Sequence, residues 1–345
     1  MKLKVAIVFL ASVSISLSVL FDSCRKTEVK FRGTPMLFTV PPGFPQPVYN
    51  FNTNPVSIEG FVLGRKLFND GRLSLDGNFP CSSCHQQVAA FTTFEHDRSH
   101  GYNHSHTLRN APGLANLAWY TVYTQDGHAP TLQSIYQAHI TNPNEMGETV
   151  DHVISKLNAD TSYHRMFRDA FGDDLITADR IYNALNQFII NLVSANSKYD
   201  RVLKGQGSFS AAEDAGYTLF KNKCESCHKE PLFTDFTFRN VGLEIDNSLK
   251  DYGRMRVTGD KYDSLKFRVP SLRNLELTSY YTHDGRYSMM RIMITHYRYG
   301  VNQSTTLDPL LKNGIQMTDM EEDNLVAFLR TLSDSSFINN PMYRE

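Results

Sequence analysis

Cys81-Ser82-Ser83-Cys84-His85 and Cys224-Glu225-Ser226-Cys227-His228 share the spacing C-x-x-C-H, the attachment signature of c-type haem. The chemistry needs this order. Two thiols three positions apart add across the vinyl groups of a porphyrin, and the histidine that follows is carried beneath the ring to ligate the iron. Cys81, Cys84, Cys224 and Cys227 therefore read as thioether anchors, and His85 and His228 as proximal iron ligands. A lone C-x-x-C is also the spacing of a redox dithiol or of half a zinc site. Two copies, each closed by histidine, favour two covalently bound haem c groups over those readings. The sixth position on each iron then decides the function, because an open iron reacts and a closed one carries electrons.

The segments that must hold these motifs form a repeat. Gly64-x-x-Leu67-Phe68 precedes the first motif and Gly216-x-x-Leu219-Phe220 the second. Farther on, Pro112, Leu114, Asn116, Leu117, Tyr123, Thr124, Asp126 and Gly127 recur as Pro270, Leu272, Asn274, Leu275, Tyr281, Thr282, Asp284 and Gly285 at a constant spacing of 158. Apolar residues at helical intervals predict helices over Ile58 to Phe68, Val150 to Phe171, Ala178 to Leu203 and Thr318 to Leu332. Ser210-Ala211-Ala212-Glu213 is a capping box ahead of the second motif. Alternating strand patterns are scarce. The expected fold is all-α: two cytochrome c-like domains, 57–205 and 206–345, each binding one covalent haem c, with long loops. Residues 25–56, Pro- and Gly-rich from Thr34 to Pro55, read as a tether or wrapping arm.

Residues 1–24 read as an export signal, with Lys2 and Lys4 ahead of an apolar or small run from Val5 to Leu20. That run is short for a membrane span and carries Ser12, Ser14, Ser16 and Ser18. Of five cysteines, Cys24 alone lies outside the haem motifs, and Leu20-Phe21-Asp22-Ser23-Cys24 resembles a loose lipoprotein box. The expected location is the periplasm or cell envelope, with membrane contact only through a lipid anchor at Cys24. The 345 residues carry a net charge of −1, which offers no basic field for phosphates, so no nucleic-acid partner is expected.

Beyond the motifs, the chain resembles the bacterial dihaem cytochrome c peroxidase family, which includes the methylamine-utilisation enzyme that oxidises tryptophans of a partner protein. The resemblance runs from about Asn54 to Leu332. It rests on Leu63-Gly64-Arg65, the first C-x-x-C-H, Ser99-His100-Gly101, Arg109-Asn110-Ala111-Pro112, Asn142-Pro143-Asn144-Glu145-Met146-Gly147, Phe233-Thr234-Asp235-Phe236, Val269-Pro270-Ser271-Leu272-Arg273-Asn274 and His283-Asp284-Gly285-Arg286. It implies a peroxidatic haem at His85 and an electron-transfer haem at His228. It also implies His100 as the distal histidine, with His96, His104 and His106 as alternatives on its loop, and Glu145 as the acid–base carboxylate. The family's second axial residue on the electron-transfer haem falls on Tyr297; Met289, Met290, Met293 and His296 are neighbouring alternatives. A calcium ion between the haems would be held by Asn110 and the carbonyls of Thr278 and Tyr280.

Three positions depart from that pattern. Gln125 stands where the family keeps a tryptophan between the haems, and Trp119 is the sole tryptophan of the chain. Ile135 replaces a glutamine of the peroxide pocket, with Gln137 nearby as a catalytic candidate. His139 replaces a proline over the reactive haem and could itself ligate that iron. The expected function is reduction of hydrogen peroxide to water with electrons from a small cytochrome c or another one-electron donor. The alternatives are a non-catalytic dihaem electron carrier and an enzyme oxidising side chains of a partner protein. The resemblance also leaves room for a homodimer.

Overall fold

Ser57 starts the first helix by accepting the Gly60 amide on its hydroxyl, and the apolar face that follows buries Phe61, Leu63, Leu67 and Phe68. The helices are α1 (Ile58–Phe68), α2 (Leu132–Thr141), α3 (Val150–Asn158), α4 (Thr161–Phe171), α5 (Ala178–Ile189), α6 (Lys198–Leu203), α7 (Ala211–Lys223), α8 (Met255–Thr258), α9 (Met290–Thr295), α10 (Asp319–Arg330) and α11 (Ser335–Ile338). They belong to a computed structural model that describes residues 33–344. The export segment and Cys24 lie outside the described residues. Two expected helices are each split. Asp160 caps α4 by accepting the Ser162 amide at 2.8 Å, and a Ser197–Asp200 capping box starts α6, so each cap begins a second helix within the expected span. The Ser210–Glu213 box caps α7 as expected. Strand among the described residues is confined to Phe238–Arg239 paired antiparallel with Phe267–Arg268, apart from isolated bridges. Among the described residues no helix is long and apolar enough to cross a membrane.

The repeat is visible in the packing. A Cβ on Gly64 of α1 would meet the Ala184 carbonyl oxygen of α5 at 1.9 Å and the Phe188 Cβ at 3.0 Å. A Cβ on Gly216 of α7 would meet the Asn324 carbonyl oxygen of α10 at 1.9 Å and the Phe328 Cβ at 2.9 Å. Both helix pairs thus cross through a glycine that faces backbone. Downstream, Tyr123 bridges Ala129 as Tyr281 bridges Tyr287, and Asn116 and Asn274 both take left-handed backbone.

Two hydrophobic clusters follow this duplication. One gathers Phe61, Phe68, Phe91 and Phe188, the other Tyr199, Phe220, Phe233 and Phe328. Each fully buried Phe contributes about 2–3 kcal/mol. The chain end returns to the first cluster: Phe337 packs 5.5 Å from Phe91, and the Tyr343 hydroxyl donates to the Asn191 carbonyl. The arm from Thr34 wraps the first half. Val48 and Tyr49 donate to the Ala118 carbonyl, and Phe38 and Phe44 enclose Trp119, whose Nε1 donates to Pro45 at 2.7 Å.

Candidate functional site

His85 and His228 are held alike. His85 Nδ1 lies 3.0 Å from the Phe91 carbonyl, and His228 Nδ1 lies 3.2 Å from the carbonyls of Phe233 and Pro270. A carbonyl only accepts, so the proton sits on Nδ1 and Nε2 keeps its lone pair. Burial lowers both imidazoles, His85 to about 4, which keeps them neutral. A neutral, oriented imidazole with a free Nε2 is what an iron ligand requires. Burial likewise raises Cys81 and Cys224 to about 12 and Cys84 to about 11. These thiols face apolar surroundings, as porphyrin attachment needs. The four thiols are unpaired, and among the described residues no three His, Cys, Asp or Glu side chains converge as a metal-binding group. The residues of both motifs therefore fit haem c better than zinc or a disulfide.

The second motif opens on a cavity of about 360 Å³ lined by Cys224, Cys227, His228, Leu272, Met293 and Tyr297 among others. Tyr297 belongs to a π-helical turn, His296–Gly300, that extends α9. Burial, with the nearby Cys224 and Cys227, raises its phenol well above the ordinary value. Of the alternatives for a sixth ligand, His296 points elsewhere: its Nε2 donates to the Val241 carbonyl at 2.9 Å and its Nδ1 accepts from the Tyr287 hydroxyl at 3.3 Å. Met289 is exposed, whereas Met290 and Met293 line the cavity. The same cavity reaches Asn110, Thr278, Tyr280 and Gln125. The Asn110 amide nitrogen donates to the carbonyls of His96 and Asp97, and Gln125 Nε2 donates to the Asn110 carbonyl at 3.2 Å. Trp119, 2% exposed, serves the arm and is absent from this cavity wall.

At the first motif, the charges of His139 and Glu145 both act on His85, and that of Glu145 also acts on Cys84. His139 stands in the last turn of α2; Asn142 ends that helix, and the turn after it folds back, with Glu145 N donating to the Asn142 carbonyl at 3.0 Å. This reversal brings Glu145 onto His139, whose Nδ1 hydrogen-bonds Glu145 Oε2, while Asn142 Nδ2 donates to Oε1 at 2.9 Å. Burial lowers His139, but the hydrogen bond and charge of Glu145 outweigh it and leave the imidazole above its ordinary value. Ile135, one turn before His139, shares its side of α2. Gln137 does not join the pair: two residues before His139 it points about 200° away around the helix, and it is exposed.

His100 belongs to a hairpin bridged to His106, and its carbonyl lies 3.7 Å from Cys84 Sγ. Its ring packs against His96 and His106 at 5.0 and 4.5 Å, and burial and these neighbours lower its pKa. Tyr102 N donates to the Glu145 carbonyl at 2.8 Å, so the histidine hairpin docks on the Glu145 turn. Asn142, which stands in the family motif above without a role, is thus a further functional residue, and its place three residues before Glu145 is its only sequence signal.

The family model for di-haem cytochrome c peroxidase matches residues 58–208. The methylamine utilization protein MauG of Methylorubrum extorquens is 33% identical over 294 residues, 84% of this chain and 82% of that protein. The cytochrome c551 peroxidase of Nitrosomonas europaea is 33% identical over 276 residues, 79% of each. Among solved structures, a MauG-like protein associated with microbial copper homeostasis superimposes with a TM-score of 0.82 at 31% identity, covering 89% of this chain and 98% of its own. The chain belongs to the di-haem cytochrome c peroxidase family. It is thereby a peroxidase-class oxidoreductase of a family whose members carry two c-type haems.

Proposed function

We propose that this protein reduces hydrogen peroxide to two waters with electrons taken singly from a small c-type cytochrome or a similar donor. The observation that supports this most is a fixed carboxylate, Glu145, held by Asn142 and near enough for its charge to act on a C-x-x-C-H histidine whose Nδ1 is already engaged. Residues 57–205 are the peroxidatic domain and 206–345 the electron-transfer domain. Cys81 and Cys84, and Cys224 and Cys227, would hold the two porphyrins, with His85 and His228 as proximal ligands. Haem c bound there supplies one-electron redox chemistry and, in the first half, an iron position for peroxide.

The protein's own share of the reaction is proton transfer. Glu145 takes the proton from one peroxide oxygen and returns it to the other, so that the O–O bond breaks with water as the leaving group. Two electrons and two further protons convert the remaining oxygen to the second water. His100 would gate this site, and Tyr297 would be a protein ligand at the other. Asn110 with the carbonyls of Thr278 and Tyr280 would hold calcium between them. The protein is exported to the periplasm or envelope and lipidated at Cys24.

The test is steady-state oxidation of reduced cytochrome c by peroxide, on protein from a haem-maturing host with two covalent haems counted by pyridine haemochrome. Glu145→Gln should lower kcat by about 10²–10⁴-fold. Wild-type turnover no faster than free haem, even after prereduction, sinks the reading. Oxidation of a partner protein's side chains is the second reading, and Tyr297 in the cavity wall favours it, since a hard anionic ligand suits strongly oxidising iron.

A further inference from the structure

The distal carboxylate is held at both ends, and the two holders differ in kind. Asn142 ends α2 and is fixed by its own backbone: its amide donates to the Ala138 carbonyl at 3.0 Å and its Oδ1 accepts the Asn144 amide at 3.0 Å. Its Nδ2 is thereby aimed at Glu145 Oε1. His139 lies three residues earlier on the same helix end and offers Nδ1 to Oε2. An ionised carboxylate only accepts, so His139 donates.

We propose that His139 is a positioning residue for the peroxide reaction, fixing the Glu145 carboxylate by donating from Nδ1 to Oε2 while Asn142 fixes Oε1. This rests on Glu145 being the acid–base group. A glutamate side chain has three torsions, and its terminal one is broad and soft. Held by Asn142 alone, the carboxylate still pivots about that single bond; a second donor on the other oxygen removes the pivot. His139 and Glu145 both lie near enough to His85 for their charges to act on it. Transfer of a proton between two peroxide oxygens tolerates little misplacement of the base, so the cost of losing the second donor falls on kcat.

Asparagine at position 139 provides the discriminating variant. Its amide nitrogen sits where imidazole Nδ1 sits, so His139→Asn keeps the donor to Glu145 and removes Nε2. His139→Ala removes both. On the dihaem holoprotein, His139→Ala should lower kcat for peroxide about 10²-fold with KM little changed. His139→Asn should recover most of that loss. His139→Ala combined with Glu145→Gln should be no slower than Glu145→Gln alone, because both act through one group. The electron paramagnetic resonance signal of the N-terminal ferric haem should be the same in wild type and His139→Asn.

Three outcomes overturn the proposal: Asn as damaging as Ala, additive losses in the double variant, or the N-terminal haem passing from low to high spin in both His139 variants. The last would show His139 Nε2 on the iron and make the protein an electron carrier at that site. Wild-type turnover in Glu145→Gln fails the parent reading instead, and separates the two. Haem content and the unperturbed C-terminal haem spectrum report folding in each variant, and His139→Gln, which also lacks the Nδ1 donor, replaces Ala should Ala not fold.

Discussion

The Arg109 guanidinium meets the Asp251 carboxylate edge-on, Nε to Oδ2 at 2.6 Å and Nη2 to Oδ1 at 2.8 Å, across 142 residues of sequence. Its remaining nitrogen, Nη1, reaches Asp126 at 2.7 Å, and both carboxylates are buried. One cation thus joins the two halves of the repeat beside the cavity. Removing it leaves buried Asp251 without its ion-pair partner and Asp126 with His128 alone, and Arg109→Ala should cost about 3–5 kcal/mol. Lysine should restore only part of this, since an ammonium cannot present the planar fork. Denaturant unfolding measures both, and a loss below about 1 kcal/mol for alanine would show that the bridge stabilises nothing.

Acid should unfold the protein in two stages. Burial opposes ionisation of Asp251 and Asp200, but hydrogen bonds and charge from Arg109 and Arg273 outweigh it and hold both below the ordinary carboxylate range. Their folded values are depressed, so their contribution is complete above about pH 4 and is lost as pH falls below that. His283 behaves differently: burial lowers it to about 4, so the unfolded chain takes up that proton first. Stability tied to His283 is complete above about pH 6.5 and lost on descending to about pH 4, an effect on the order of 3 kcal/mol. Urea unfolding from pH 7 to pH 3 should show both slopes, and His283→Phe should remove the share of the upper one that His283 carries. A flat profile between pH 6.5 and 4 in the wild type contradicts this account.

What the sequence makes legible here are features that local spacing specifies. C-x-x-C-H names the anchors, and glycines 64 and 216 mark helix crossings because each recurs ahead of its motif; both do face backbone at 1.9 Å. Helix breaks were less legible, since Asp160 and Ser197 cap new helices without interrupting the apolar periodicity. The distal site was legible by residue but not by contact. His139 and Glu145 were both in view, yet their hydrogen bond depends on a backbone reversal after Asn142 that no periodicity encodes. Gln137 was drawn in by proximity along the chain, and helical geometry turns it to solvent.

Tyr297 offers the sharpest spectroscopic test of the second site. It stands in a π-helical turn, a local widening that re-aims one side chain and recurs at functional sites. Its phenol enters the cavity near Cys224 and Cys227. Burial alone keeps such a phenol protonated, and the charge of a bound ferric iron reverses that preference. Tyr297→Met should therefore raise the reduction potential of the C-terminal haem by on the order of 0.1 V or more, within the roughly 0.8 V that axial ligands span. Tyr297→Phe should abolish any phenolate charge-transfer band. His296→Ala should change neither, because both nitrogens of His296 are engaged, with Val241 and Tyr287. Potentials from redox titration followed in the visible spectrum decide between them. A shift confined to His296→Ala would move the ligand to the neighbouring residue and leave Tyr297 as cavity lining alone.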